Sequence, residues 1–412
     1  MPAAPTTSPF ATQLVADLPP AAGRWSGFPT YNFVGGHNAP ESIPVADFNT
    51  ALAAVLEREG PTLATYALES GPQGYLPLRE FLSTKLKRNC DLDAAPDDIL
   101  MTSGSLQGMD LINAALLERG DTVIIEAANY GGVLTRLGRL GVTPVGVPLD
   151  GDGMQLDALE AELQALRDRG VTPKYIYTIP TVQNPTATVM PEARRRGLLE
   201  LAARFNTVIF EDDCYADLVF SGVRPPAIAA LDGEARTVYL GSFSKSLAPA
   251  LRVGYVVAPW SLLSRLLSLK TDAGSGALEQ MMLAEYCEQH FDAHVANLNA
   301  LLKTKADVLM SALDEHFGTS AEYDEPAGGI FLWVTLPDTV DTTKLAARAG
   351  ETGLAINPGR EWSIEDDAGR KVRICYANPD AETLKAGIAK LADLCFEMFG
   401  VPVRGANAER SA

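Results

Sequence analysis

The chain has 412 residues, 47% hydrophobic and 21% charged, a balance ordinary for a folded enzyme and long enough to form two or more domains. Its 34 lysines and arginines against 52 aspartates and glutamates leave a net charge of −18, which argues against a nucleic-acid or anionic-membrane partner, since either is approached against repulsion. The five cysteines (Cys90, Cys214, Cys287, Cys375, Cys395) are scattered and contain no C-x-x-C, which speaks against a disulfide frame or a zinc site.

Residues 1 to about 30 are rich in proline, alanine and threonine and read as an arm. No basic-then-apolar leader opens the chain and no apolar run reaches about 18 residues, so the expected location is cytoplasmic. Helical spacing is expected over 46–59 and 76–89, with Gly71-Pro-Gln-Gly74 as punctuation between them. From about residue 97, short apolar runs at 98–102, 122–125, 143–148, 175–179, 207–210, 237–240 and 253–258 read as buried strands. Helix-like stretches at 106–118, 156–169 and 191–204 lie between several of them, the last with Pro191 at its first position. The alternation predicts an α/β fold on a mainly parallel sheet of about seven strands. A long helix is expected over 285–317. Beyond it, strands at 329–335 and 371–376 alternate with helices at 342–352 and 380–398. This smaller α+β region is one that the N-terminal segment partly completes. The expected division is an arm at 1–45, a large domain at 46–290 and a small domain at 291–412; the last ten residues look frayed.

The stretch richest in chemistry is GSFSKSLAPALRVGY, residues 241–255. Lys245 stands between Ser244 and a turn, Ser242 precedes it, and Arg252 follows seven residues later. An amine whose ammonium pKa is lowered can trap a carbonyl as a Schiff base, and hydroxyls with a fixed guanidinium suit a phosphate dianion. An aldehyde that also carries a phosphate is pyridoxal phosphate (PLP); a plain surface loop is the alternative for these residues alone. In an open α/β sheet ligands gather at the carboxyl ends of strands, and the other candidates fall there. Ser103-Gly-Ser105 leads into a helix whose first N–H groups can hold a phosphate, although such loops are also simply structural. Tyr130 can stack on a ring or be a half-buried tyrosine. Asn184 can hold a phenolate oxygen. Asp212, in EDDCY, can keep a pyridine nitrogen protonated; the same acidic loop could serve a metal, but no histidine accompanies it. His290 and His294 have the i, i+4 spacing of a metal pair without a third ligand in view.

Taken in order, several stretches resemble the class I aminotransferases of PLP fold type I, nearest the branch of aminoadipate and multi-substrate aromatic aminotransferases. They are GYLPLREFL (74–82), ILMTSGSLQGMDL (99–111), EAANYGG (126–132), QNPTATVMPEARRRGLLELA (183–202), EDDCYADLVF (211–220), SFSKSLAPALRVGY (242–255), AGGIFLWVTLP (327–337) and VRICYA (372–377). The likeness runs from about residue 46 to 395. It implies a PLP enzyme that moves an amino group between an L-amino acid and a 2-oxo acid by a ping-pong cycle. It also implies a homodimer with shared sites, the loop 274–280 being the partner's contribution, and an N-terminal segment, PTYNFVGGHNAP, that covers the substrate.

Residue by residue, the resemblance makes Lys245 the Schiff-base lysine and the proton shuttle at Cα, and Asp212 the partner of the pyridine nitrogen. Tyr215 and Asn184 hold the ring oxygen, Tyr130 stacks on the ring, and Gly104, Ser105, Leu106, Ser242 and Arg252 hold the phosphate. Arg373 grips the substrate α-carboxylate, with Asn184 touching it too. The chain departs from the family at Ala128, Ala187 and Ala250, where proline, glycine and glycine are usual. It departs most at Glu69, where a tyrosine normally serves the neighbouring subunit's phosphate. A carboxylate there either turns away as a solvated loop residue or meets a cationic part of a substrate, and the latter goes with a second reading: β- or γ-elimination or replacement, cyclisation or oxidation on the same cofactor. A PLP-sensing regulator is disfavoured because roughly 45 residues precede the match, too few for a winged-helix module. A nicotinamide dehydrogenase is disfavoured because no G-x-G-x-x-G follows a strand.

Overall fold

The computed structural model describes residues 10, 13–15, 18, 19 and 21–402. The expected frayed C-terminus lies outside the described residues. The chain opens with β1 (Tyr31–Asn32), then α1 (Val45–Glu59) and α2 (Leu76–Cys90). Alternation follows: β2 (Ile99–Thr102), α3 (Ser105–Leu116), β3 (Thr122–Glu126), α4 (Gly131–Leu140), β4 (Thr143–Val147), a small hairpin of β5 (Leu149–Asp150) and β6 (Gly153–Met154), and α5 (Leu156–Asp168). Next come β7 (Tyr175–Thr178), α6 (Glu192–Arg204), β8 (Val208–Asp212), the short α7 (Ile228–Leu231), β9 (Thr237–Ser242), β10 (Gly254–Val257) and α8 (Trp260–Leu269). The 40-residue α9 (Ala277–His316) leads to β11 (Phe331–Thr335), α10 (Thr342–Glu351), β12 (Leu354–Ala355), β13 (Asn357–Pro358), β14 (Lys371–Cys375) and α11 (Ala381–Phe399).

Seven strands form one sheet in the order β2-β10-β9-β8-β7-β3-β4. Only β10 runs antiparallel to its neighbours. Every residue of β2, β7, β9 and β10 is buried, because helices cover both faces. That is why these segments read as continuous apolar runs and not as alternating ones. The helix α3 lies close over β9 and β10: a Cβ on Gly108 would stand 2.7 Å from Leu240 and 2.9 Å from Val256. A second sheet, β11-β14-β13, carries α10; α11 packs on α9, α10 and β1, and β1 pairs in parallel with β12 in a separate two-stranded sheet. The N-terminal segment thus adds to the C-terminal part of the chain.

Two expected helices begin at other residues, and α4, α7 and the β5-β6 hairpin were not expected. The long helix begins at Ala277, eight residues before the expected 285, so 277–280 of the expected loop is helical, as is the expected 290/291 domain boundary. Gly274 and Gly276 mark the turn before it; Gly276 is the N-cap, and Gln280 Nε2 reaches back to its carbonyl at 2.7 Å. Pro191 is the N-cap of α6, one position ahead of its expected place.

Candidate active site

The carboxyl ends of β2, β7, β8 and β9 and the strand β14 surround one cavity of about 480 Å³, within the range of small-molecule and cofactor sites. On its wall stand Ser105, Leu106, Tyr130, Asp212, Tyr215, Ser242, Lys245, Arg252 and Arg373. Asn184 is fully buried behind Tyr215 and Arg373. Glu69 is elsewhere: it is exposed, on a 3₁₀ turn whose Leu68 and Glu69 both have positive φ, and it does not line this cavity.

At one end the chain turns sharply after β2. Gly104 has φ +80°, and a Cβ there would sit 2.1 Å from Arg252 Nη2. The guanidinium therefore packs directly on the bare glycine, beside the first turn of α3. Arg252 donates to Ser103 O at 3.4 Å and Pro249 O at 3.2 Å, and Ser242 Oγ donates to Ser244 Oγ at 3.0 Å. A guanidinium, serine hydroxyls and a 12-residue helix with no side-chain cap make an anion cradle. These residues fit a phosphate.

Asp212 ends β8. Its neighbours Glu211 and Asp213 use other partners: Glu211 accepts from the Ile228 and Ala229 amides, and Asp213 from the Tyr239 hydroxyl. Asp212 Oδ2 accepts from Tyr177 at 2.6 Å and Oδ1 from the Cys214 amide at 3.3 Å. Burial pushes its carboxyl up and the Tyr177 hydroxyl holds it down. A carboxylate held this way suits a protonated ring nitrogen.

Lys245 Nζ donates to Gly36 O at 2.7 Å and lies 5.9 Å from the Tyr215 ring centre. Burial first, with the Arg373 and Arg252 charges acting the same way, lowers its ammonium pKa to about 8. A Cβ on Gly36 would fall 2.3 Å from Nζ, so the amine lies flat against the glycine backbone. Arg373, from β14, is 2% exposed and stacks 3.4 Å over the Trp362 ring. It donates to Asn184 Oδ1 at 3.1 Å, Asn357 Oδ1 at 2.8 Å and Gly35 O at 3.4 Å. Asn184 Nδ2 in turn donates to the Tyr215 hydroxyl at 3.2 Å. Beneath this loop, buried Glu126 accepts from Thr178, the Ile179 amide and Gln183, which fixes the residue before Asn184.

Sequence reasoning did not single out Tyr177, Trp362, Asn357 or Asn38. Tyr177 stood inside a run read as core, and the others have partners far along the chain. His294, the half of the i, i+4 pair that faces inward, has Nε2 2.9 Å from Ser246 O. Among the described residues no group of three or more His, Cys, Asp or Glu could hold a metal, and no helix is long and apolar enough to cross a membrane.

Residues 46–391 match the family described as aminotransferase class I and II. The chain is 34% identical over 366 residues to aromatic-amino-acid aminotransferase 1 of Thermococcus litoralis, covering 88% of this chain and 87% of that one. Among solved structures it resembles the multiple substrate aminotransferase of Thermococcus profundus, with TM-score 0.83, 32% identity, and 89% and 91% of the two chains covered. It also resembles the α-aminoadipate aminotransferase LysN of Thermus thermophilus, solved with N-(5'-phosphopyridoxyl)-L-leucine, with TM-score 0.82, 31% identity, and 89% and 92% covered.

Proposed function

The chain belongs to the aminotransferase class I and II family, and from that premise we propose how its own residues carry out the reaction. It is a PLP-dependent aminotransferase of fold type I, moving an amino group between an L-amino acid and a 2-oxo acid. Bound PLP supplies the carbonyl that captures an amine and the ring that draws electrons from Cα.

The remaining work falls to the chain. Ser105, Leu106, Ser242 and Arg252 hold the phosphate, and Gly104 lets Arg252 approach. Tyr130 lies along the ring. Asp212 holds a proton on the ring nitrogen, and Tyr215 with Asn184 holds the ring oxygen. Arg373 fixes the α-carboxylate by a two-pronged contact, and Asn184 orients it. Lys245, with its lowered pKa, carries the cofactor and then moves the proton at Cα. The single observation that carries this reading is one cavity that joins a depressed-pKa lysine, a buried arginine, a buried carboxylate and an anion cradle.

The assembly we propose is a homodimer with shared sites. Its support is a groove of about 460 Å³ formed by Leu63, Tyr66, Leu68 and the 270–277 stretch, with Tyr66 85% exposed beside it. In that assembly Glu69 reaches the partner's active-site mouth and meets a cationic part of a substrate. The strained backbone at Leu68 and Glu69 supports a role for this turn, since such conformations cluster at functional sites. The division into an arm, a large domain and a small domain belongs to the same reading, with the seven-stranded and three-stranded sheets as its support. So does a cytoplasmic location, supported by five free cysteines.

The test is a panel of amino acids added to yellow, PLP-loaded protein, with the bound aldehyde form followed in time. Transamination consumes it and a 2-oxo acid restores it. Ammonia release with the aldehyde form undiminished overturns the assignment in favour of elimination. Borohydride should fix the cofactor to wild type and leave it dialysable from Lys245→Ala.

A further inference from the structure

Three successive backbone carbonyls of the lysine loop are held by side chains from distant parts of the chain. Asn38 Nδ2 donates to Lys245 O at 3.2 Å and to Leu247 O at 2.9 Å. His294, from the middle of α9, places Nε2 2.9 Å from Ser246 O. Burial lowers the His294 pKa, so the ring is neutral at neutral pH and donates as its Nε2–H tautomer. Asn38 is 7% exposed, and its own carbonyl accepts from Asn378 Nδ2 at 3.0 Å. Two residues before it, Gly36 O takes the Lys245 ammonium; three before it, Gly35 O takes Arg373. Upstream, the Phe33 carbonyl accepts from the Cys375 amide of β14 at 2.9 Å. The short segment 33–38 therefore touches the catalytic lysine at both its backbone and its amine.

We propose that Asn38 is a positioning residue for Lys245: its carboxamide fastens the lysine loop to the N-terminal segment and sets where Nζ stands in the cavity. Asn38 does not line that cavity, so it acts through the lysine and not on the ligand. The inference rests on Lys245 being the cofactor lysine. Attachment forms a C=N bond between Nζ and the aldehyde carbon, and the aldehyde oxygen leaves as water. Its rate depends on how often Nζ occupies the attack position, and a loop freed at two carbonyls spreads Nζ over more positions. Of the anion cradle, Gly104 and Ser105 stand on the turn between β2 and α3, outside the lysine loop, while Ser242 ends β9 and Arg252 is held by Pro249 O and Ser103 O, so each keeps its place without the Asn38 contacts.

Two quantities separate positioning from general damage: the affinity of cofactor-free protein for pyridoxamine phosphate, which cannot bond to the lysine, and the first-order rate of PLP attachment. Asn38→Leu removes both donors at similar volume, and Asn38→Asp keeps the shape but cannot donate to a carbonyl. Each should slow attachment about tenfold, as the loss of two ordinary hydrogen bonds implies, with pyridoxamine phosphate affinity within about twofold. His294→Phe, on a different element, should show the same split and covers the case in which an Asn38 variant does not fold. Attachment at the wild-type rate in the folded variants overturns the proposal. So does a parallel loss of attachment and pyridoxamine phosphate affinity. Neither measurement needs an amino acid, so a wild-type protein that attached PLP without transferring amino groups would strike the proposed function alone.

Discussion

Replacing Tyr177 by phenylalanine removes one atom beside the carboxylate of Asp212. The hydroxyl donates to Asp212 Oδ2 at 2.6 Å, and the ring stays edge-on to Phe210, 5.1 Å between centres. What changes is the environment of a buried carboxylate whose other donor is the Cys214 amide at 3.3 Å. Hydrogen bonds to charged groups contribute about 1.5–3 kcal/mol. Burial already raises the Asp212 pKa and Tyr177 opposes that rise, so the variant's carboxyl binds its proton more tightly still. The proton shared with the ring nitrogen then rests more often on Asp212, and the ring draws electrons less strongly. At about 1.4 kcal/mol per factor of ten, kcat should fall roughly 10- to 150-fold. KM should change little, because Arg373 is untouched. Asp212 works ionised, so the acid limb of kcat against pH should move to higher pH in the variant. Steady-state kinetics with one good amino donor across the acid limb measure all three quantities. A kcat within twofold of wild type with an unmoved acid limb would falsify the view that Tyr177 does more than pack.

Arg373→Lys keeps the charge but loses the fork and the stacking on Trp362, so KM for amino acids should rise at least about tenfold; an unchanged KM for every substrate assigns the carboxylate to another group. Lys245 has an ammonium pKa of about 8 when folded against 10.5 ordinarily, so the unfolded chain binds its proton more readily between those values. Cofactor-free wild type should therefore gain roughly 3 kcal/mol of stability relative to Lys245→Met as pH rises through that window, and a flat difference in urea titrations refutes the buried amine. Buried Ala187 has φ +60°, a left-handed conformation that suits glycine; Ala187→Gly should stabilise by up to about 1 kcal/mol, and a lowered urea midpoint would contradict this. Glu69→Gln should weaken turnover of a cationic substrate, less so at high salt, and spare its neutral analogue; equal effects on both return Glu69 to the role of a loop residue.

Six of the seven strands of the large sheet were legible because they are almost wholly buried and so appear as short apolar runs; β4, at the edge of the sheet, is mostly half-buried, and its run 143–148 is broken by proline and glycine. Helix α4 was not read: it begins with Gly131 and Gly132, poor helix formers, and is held by packing of Val133 and Leu137. Residues with chemistry at the ends of strands stood out by type, as Lys245, Asp212 and Asn184 did, while Arg373, in the middle of β14, came only through the family resemblance; the fold gathers all four around one cavity. Tyr177 hid because a buried strand tyrosine looks like core, and nothing local reveals that its hydroxyl finds a carboxylate 35 residues away. Asn38 hid for the same reason at greater range, its partners being 207 and 209 residues distant. Glu69 shows the reverse case, a residue conspicuous by type that lies away from the cavity in its own chain.

The unbroken course of α9 makes it a lever. Forty residues span about 60 Å, with α1 and α2 packed along one end and α11 against the other. His294 stands about 25 Å from its first turn. Pivoting the helix by about 2° around that turn carries its far end about 2 Å and His294 about 1 Å. A hydrogen bond of 2.9 Å does not stretch by that much and survive. A swing of that size would therefore break the contact to Ser246 partway along the arm.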